Sequence, residues 1–244
     1  TGKLLVEQLL ARGLHVRAIV RASDRLPKTT RDHPNLAVTE AGILELTEEE
    51  MAEQVHGCSA IVSCLGHNLS FKGIFGHPRR LVTDATRRVC NAVNASPSRQ
   101  PIKFVLMNTT GVRNRDLGEN VSMAQRFVIV LLRLCLPPHA DNEDAADYLR
   151  TQIGQNNLAI EWVAVRPDGL IDQDLVSEYT LHRSPTRLAI FDAGTTSRVN
   201  VAHFMADLIT CPEIWLQWKG QMPVIYNHAA QSAAPVSETA PLRE

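Results

Sequence analysis

Short β-rich runs alternate with helix-patterned segments along almost the whole chain, and this alternation limits the fold more than any other feature. Leu4, Leu5, Gln8, Leu9 and Ala11 follow helical spacing, with Gly13 just past the end as a C-cap glycine. A β-rich run from His15 to Arg21 follows, then a strand over Leu36–Glu40. Thr47 and Glu50 form a capping-box start for a helix to about Val55, which Gly57 ends. Ser59–Cys64 reads as a buried strand, and a loop with Gly66, Gly73 and Gly76 comes next. Arg80–Val93 is patterned as a long helix, and Ile102–Met107 as a strand running into Asn108-Thr109-Thr110-Gly111. Residues 121–136 and 142–153 read as helices broken by Pro137-Pro138. Ile160–Val165 is a strand stopped by Arg166-Pro167, Val201–Thr210 a helix, and Met222–Tyr226 a last short strand. Connections long enough to hold a helix argue for an α/β fold, a doubly wound parallel sheet covered on both faces.

Composition narrows the class. Hydrophobic residues are 44% of the 244, charged residues 21%, and the net charge is -1. No basic patch stands out, which argues against a nucleic-acid partner. The longest apolar run, Phe127–Leu136, is interrupted by Arg133 and is too short for a bilayer, which takes about 20 apolar residues. It reads as a buried helix or one facing a second copy in a homo-oligomer. The five cysteines are scattered, without a CxxC pair or zinc spacing, which fits a reduced, cytoplasmic setting. The chain opens on a polar turn and an amphipathic helix, not on a secretory leader. Residues 1–228 read as one domain and the Ala-, Ser- and Pro-rich 229–244 as a disordered tail.

In a doubly wound sheet, ligands bind beyond the carboxyl ends of the strands. Thr1-Gly2-Lys3 opens the first helix, where the last glycine of a dinucleotide-binding turn would lie. An ordinary helix-start glycine is the plainer reading. Arg21 ends the next strand, with Arg25 close by. A carboxylate there would bind the ribose hydroxyls of NAD, whereas a guanidinium suits the 2′-phosphate of NADP. A solvated strand-end arginine is the alternative. Ser63-Cys64-Leu65-Gly66 is a small turn past which backbone can approach a cofactor. Asn108 and Thr109 place polar groups at a strand end, to meet a ribose or substrate oxygen or to cap the next segment. Asp168, in the polar turn after Arg166-Pro167, is a candidate substrate contact at the start of a variable region, 168–197, that would shape the pocket. His67, Phe71 and Phe75 could line that pocket, although two phenylalanines four apart also suit a core.

Taken in order, these segments resemble the atypical short-chain dehydrogenase/reductases, and within them the NAD(P)H-binding, NmrA-like branch that includes biliverdin and flavin reductases. The resemblance runs from Thr1 to about Asn227. It implies that Gly2 closes a glycine-rich turn, that Arg21 meets the adenosine phosphate, and that Cys64, Leu65 and Gly66 line the cofactor. It also brings Arg166 and Pro167 towards the nicotinamide and puts Thr109 where the family's catalytic Ser or Thr sits. Two departures stand out. The family's opening strand and first glycines are absent, which implies part of a longer protein. The catalytic Tyr-x-x-x-Lys is also missing, since Tyr148 is followed at that spacing by Gln152 and Tyr179 by Arg183.

Other chemistries have less support. His139, Asp141 and Glu143 could suggest a metal, but Asp141 and Asn142 more simply cap a following helix, so no metal is expected. There is neither a Gly-x-Ser-x-Gly elbow nor a Walker motif. The first expectation is therefore an NADPH-dependent reductase of a small conjugated acceptor such as a quinone, flavin or tetrapyrrole. The competing readings are a non-catalytic NADP sensor acting through a protein partner and, third, an epimerase or dehydratase.

Overall fold

The computed structural model describes residues 1–67, 70–96, 100–119, 136–187 and 192–228. The proposed tail and most of the apolar run Phe127–Leu136 lie outside these residues. Five strands form the main sheet in the order β3 (Ala60–Ser63), β4 (Ile102–Met107), β5 (Ile160–Pro167), β9 (Val224–Asn227) and β7 (Tyr179–His182). All neighbours are parallel except β7, which runs antiparallel to β9. The expected all-parallel sheet is thus corrected at one edge. There the connection from β7 to β9 carries β8 (Thr195–Ser197), which pairs with β6 (Gly169–Ile171). Both short strands lie in the stretch that the sequence marks only as variable.

A second, separate parallel pair comprises β1 (Val16–Val20) and β2 (Leu36–Glu40). It lies between the same two apolar layers as the main sheet. Ile19 of β1 and Ile61 of β3 both pack on the cluster holding Phe104, Leu106 and Trp162. Val16 and Val62 pack on the opposite cluster, with Leu5, Leu9, Val105 and Val163. The first layer is built by α3 (Glu48–Val55), α5 (Leu81–Ala95) and α6 (Pro137–Tyr148), the second by α1 (Gly2–Ala11), α7 (Arg198–Thr210) and α8 (Pro212–Trp218). Period-two burial explains this: successive side chains of a strand face opposite layers.

Local chemistry sets several boundaries. The Thr47 side chain accepts from the Glu50 N–H at 3.1 Å while the Glu50 carboxylate accepts from the Thr47 N–H at 2.7 Å, closing the expected capping box on α3. Gly13 adopts φ 77°, as a helix-ending glycine should. Pro137-Pro138 opens α6, because proline at the first helical positions removes an N–H that had no partner, and the helix expected over 121–136 lies almost wholly outside the described residues. Asp141 and Asn142 therefore lie inside α6, and Asp141 caps a different helix. Its carboxylate accepts from the N–H groups of Val82 at 2.7 Å and Thr83 at 2.9 Å, at the start of α5.

Candidate functional site

Gly2 places the start of α1. A Cβ there would lie 3.3 Å from the Cβ of Cys64, so the helix begins against the carboxyl end of β3. Helix α1 then runs back beneath the sheet to Gly13, and β1 sets out in the same direction as β3. The loops after β1, β3, β4 and β5 consequently share one edge. The first α1 hydrogen bond is Leu5 N–H to Thr1 O at 3.0 Å, and Thr1 makes no side-chain cap. The amides of Gly2, Lys3 and Leu4 and the positive end of the helix dipole thus face that edge.

The cationic groups there differ sharply in how they are used. Arg21 and Arg25 are both exposed, and neither makes an ion pair or hydrogen bond among the described residues. The turn bearing Arg25 is anchored by the Ser23 N–H, which donates to the Glu40 carboxylate at 3.1 Å. That contact holds the Glu40 carboxyl below its ordinary value, through the Ser23 side chain and backbone.

Arg166 is the opposite case. Its guanidinium is fully buried, and all five N–H groups are taken: by Met222 O, Val112 O, Arg183 O and both oxygens of Glu119. No donor is left to face a ligand, so what the strand end offers is backbone and Pro167. Glu119 arrives on the loop after β4, just past Gly118 at φ 59°. Nothing local in the sequence marks that pairing.

Asn108, at the end of β4, is buried, and its amide donates to Asn142 O at 2.9 Å. Thr109 is partly exposed, and its hydroxyl oxygen accepts from the Gly111 N–H at 3.4 Å. Among the described residues that hydroxyl donates no hydrogen bond of its own. Asp168 is buried and braces its surroundings, accepting from the Thr110 hydroxyl at 3.1 Å and the Gly194 N–H at 2.8 Å. The His139 ring lies beside the same turn, with its Cε1 3.3 Å from where a Cβ on Gly111 would stand. The sequence offered His139 only as a metal ligand, because the contact crosses from another helix.

In the β3 loop, Leu65 packs on the core and Gly66 opens to solvent. His67 does not line a pocket with its ring nitrogens. Nδ1 meets Gly73 O at 3.2 Å and Nε2 meets the Asp141 carboxylate at 2.8 Å, so the ring ties the loop to α6. Phe71 and Phe75 are not core either: on α4 (Phe71–Phe75) they are 80% and 39% exposed, with ring centroids 4.9 Å apart.

Neither tyrosine weighed for catalysis stands ready at this edge. Tyr148 lies under the Arg87 guanidinium, 5.5 Å from its ring centroid, in a cavity of about 500 Å³ between α5 and α6. The Tyr179 hydroxyl bonds His203 at 2.9 Å and donates to Asp207 at 3.3 Å. Burial and the Asp207 carboxylate push its pKa well above the ordinary phenol value.

A mostly parallel sheet wrapped by helices, with a bare helix start and small-residue turns along its carboxyl edge, defines a Rossmann-type nucleotide-binding protein. The chain belongs to the NAD(P)H-binding family, whose model matches residues 1–212. It is 30% identical over 171 residues to an uncharacterized chloroplast protein of Arabidopsis thaliana, covering 70% of this chain and 55% of that one. The chain thus spans about half the length of this curated relative. Among solved structures it resembles a short-chain dehydrogenase/reductase of Veillonella parvula in complex with NADP (TM-score 0.66, 15% identity, 93% of this chain and 89% of that one). It also resembles an anaerobilin reductase of Escherichia coli O157:H7 (TM-score 0.63, 16% identity, 95% and 94%). At these identities the likeness is one of fold. No helix among the described residues is long and apolar enough to cross a membrane.

Proposed function

We propose that the protein is an NADPH-dependent oxidoreductase that passes hydride to a small conjugated acceptor. The observation that carries this reading is the pair of exposed guanidiniums, Arg21 and Arg25, past the end of β1, neither of which has a partner among the described residues. They suit a 2′-phosphate, which a guanidinium grips with two charge-assisted bonds. The free amides of Gly2, Lys3 and Leu4 suit the pyrophosphate. Cys64, Leu65 and Gly66 flank it, and Pro167 closes the nicotinamide end. When bound, the reduced nicotinamide supplies the hydride. The Thr109 hydroxyl, which accepts from the Gly111 N–H, would pass its proton to the acceptor as hydride arrives and take a replacement from solvent. The reductase names among the fold's relatives support the same reading. A small-molecule acceptor, a cytoplasmic setting and a possible homo-oligomer complete the proposal.

Titration with NADPH and NADH tests it. A charge-assisted bond contributes about 1.5–3 kcal/mol, so Arg21→Glu should weaken NADPH binding about 10- to 100-fold while leaving NADH almost unchanged. An unaltered preference between the two coenzymes would refute the reading. The second reading, a non-catalytic NADP sensor, draws on the two tyrosines, which are held away from proton transfer. Following NADPH oxidation with quinones and flavins separates the two, since tight binding without turnover across that panel favours the sensor.

A further inference from the structure

We infer that the cleft between α5 and α6 binds a small hydroxylated organic anion, a sugar phosphate or a sugar acid. Each of these helices leads from the carboxyl edge to the start of the next strand, so the two run side by side. They are tied at the carboxyl-edge end, where the Asp141 carboxylate of α6 accepts from the Val82 and Thr83 N–H groups of α5. Beyond this tie a cavity of about 500 Å³ opens between them. Sites for small molecules span about 300–1,000 Å³, so the space suits a ligand of that size. Arg80, Arg87 and Asn91 line it from α5, at spacings that keep them in one stripe on the helix. Asp144, Asp147 and Tyr148 face them from α6.

The charges in the cleft leave one cation over. Asp144 pairs with Arg80 at 3.3 Å, and Asp147 pairs with Arg115 at 2.8 Å and Arg150 at 3.3 Å. Both carboxylates are thus answered. Arg87 has no ion pair or hydrogen bond among the described residues, and its guanidinium stands 5.5 Å from the Tyr148 ring centroid. A guanidinium offers five N–H donors and no acceptor, which selects an anion with several oxygens. The groups beside it suit hydroxyls. The Asn91 amide and the Tyr148 hydroxyl make no hydrogen bond among the described residues, and Gln152 gives one N–H to the Thr151 hydroxyl at 3.3 Å, which leaves its carbonyl oxygen to accept. Burial pushes the Tyr148 phenol above its ordinary pKa, so it stays a neutral donor. An apolar occupant would leave all of these polar groups without partners, at a cost that a polyhydroxy anion avoids.

The backbone adds an independent sign. Helix α6 does not stop at Tyr148 but continues through a single π-helical turn, Leu149–Ile153, before Gly154 at φ 68° ends it. Such turns are rare, and they recur at functional sites because the extra residue re-aims the side chains around it. This one carries Leu149 and Ile153 into the core and brings Thr151 and Gln152 to the cleft beside Tyr148. The Thr151 hydroxyl donates to Asp147 O at 2.7 Å, which fixes the turn against the helix.

Titration calorimetry on the whole chain, without coenzyme, uses glucose 6-phosphate and gluconate as probes, with glucose, inorganic phosphate and acetate as controls. At least one probe should bind at least about 10-fold more tightly than every control, because anion and hydroxyls are held together, and the tighter probe identifies the head group. Arg87→Ala should weaken that binding at least about 10-fold, and Asn91→Asp, which sets a like charge beside the anion, by a similar factor. Both side chains are exposed, so neither change threatens the fold. The side-chain amide NMR signals of Asn91 and Gln152 should shift during the titration. Arg21→Glu should leave the binding as it is, which keeps the result apart from the coenzyme reading. Failure of both probes to bind, a control that binds as tightly, or full binding by Arg87→Ala would overturn the inference. So would a loss with Arg21→Glu in place of Arg87→Ala, since the anion would then occupy the coenzyme edge.

Discussion

Replacing Glu119 with alanine should cost more stability than any single surface change. The carboxylate takes two of the five Arg166 bonds, at 3.1 and 2.7 Å, and also accepts from the Asn114 N–H at 2.8 Å. Its removal leaves a fully buried guanidinium with three neutral carbonyl acceptors and no counter-charge, and strands one amide. Breaking a buried ion pair from one side costs about 3–5 kcal/mol. For a domain of this size each kcal/mol lowers Tm by roughly 2–4 °C, giving a fall of about 6–20 °C. Urea denaturation supplies the free energy and a thermal melt the shift. Glu119→Leu with Arg166→Met removes both charges and should recover most of the loss, because apolar isosteres often replace a buried pair at little cost. In the folded fraction, the proposed preference for NADPH over NADH should survive all of these changes. A loss below about 1 kcal/mol, or a double variant no better than the single, would refute the view that this pair is structural.

Two other perturbations probe the loops that frame the site. Asp141→Asn puts an amide nitrogen, which cannot accept, where the carboxylate serves Val82, Thr83 and His67. Urea denaturation should show a loss of about 1–3 kcal/mol, and no loss would mean that those bonds are not formed. Burial pushes the Cys64 thiol up to about 11, so at pH 8 it should alkylate on the order of 100-fold more slowly than in the urea-unfolded chain. Because the folded state holds this proton more tightly, the associated stability is present below about pH 8.5 and is lost as pH climbs towards 11. Equal alkylation rates in the folded and unfolded chain would show that the thiol is not shielded.

Local patterns carried the fold well where the cause is local. The Thr47–Glu50 box, the Gly13 C-cap and the strands at Leu36–Glu40 and Ile102–Met107 need only neighbouring residues, and they stand where the sequence puts them. The pieces hidden from the sequence depend on distant partners. Strands β6 and β8 are three residues each and exist because they pair with one another, and β7 is fixed by β9. Asp141 reads as a cap for the helix next to it, but its oxygens serve α5, 58 and 59 residues away. The arginines show why a site is harder to read than a fold. Arg21 and Arg166 both close a β-rich run, and their local sequence gives no reason to treat them differently. One guanidinium is exposed and makes no ion pair or hydrogen bond among the described residues, while the other is saturated by a carboxylate 47 residues away and by the carbonyls of Val112, Arg183 and Met222. Whether a strand-end charge can bind a ligand is therefore decided by what else has already claimed it. That is why the coenzyme test belongs at Arg21 and the stability test at Arg166.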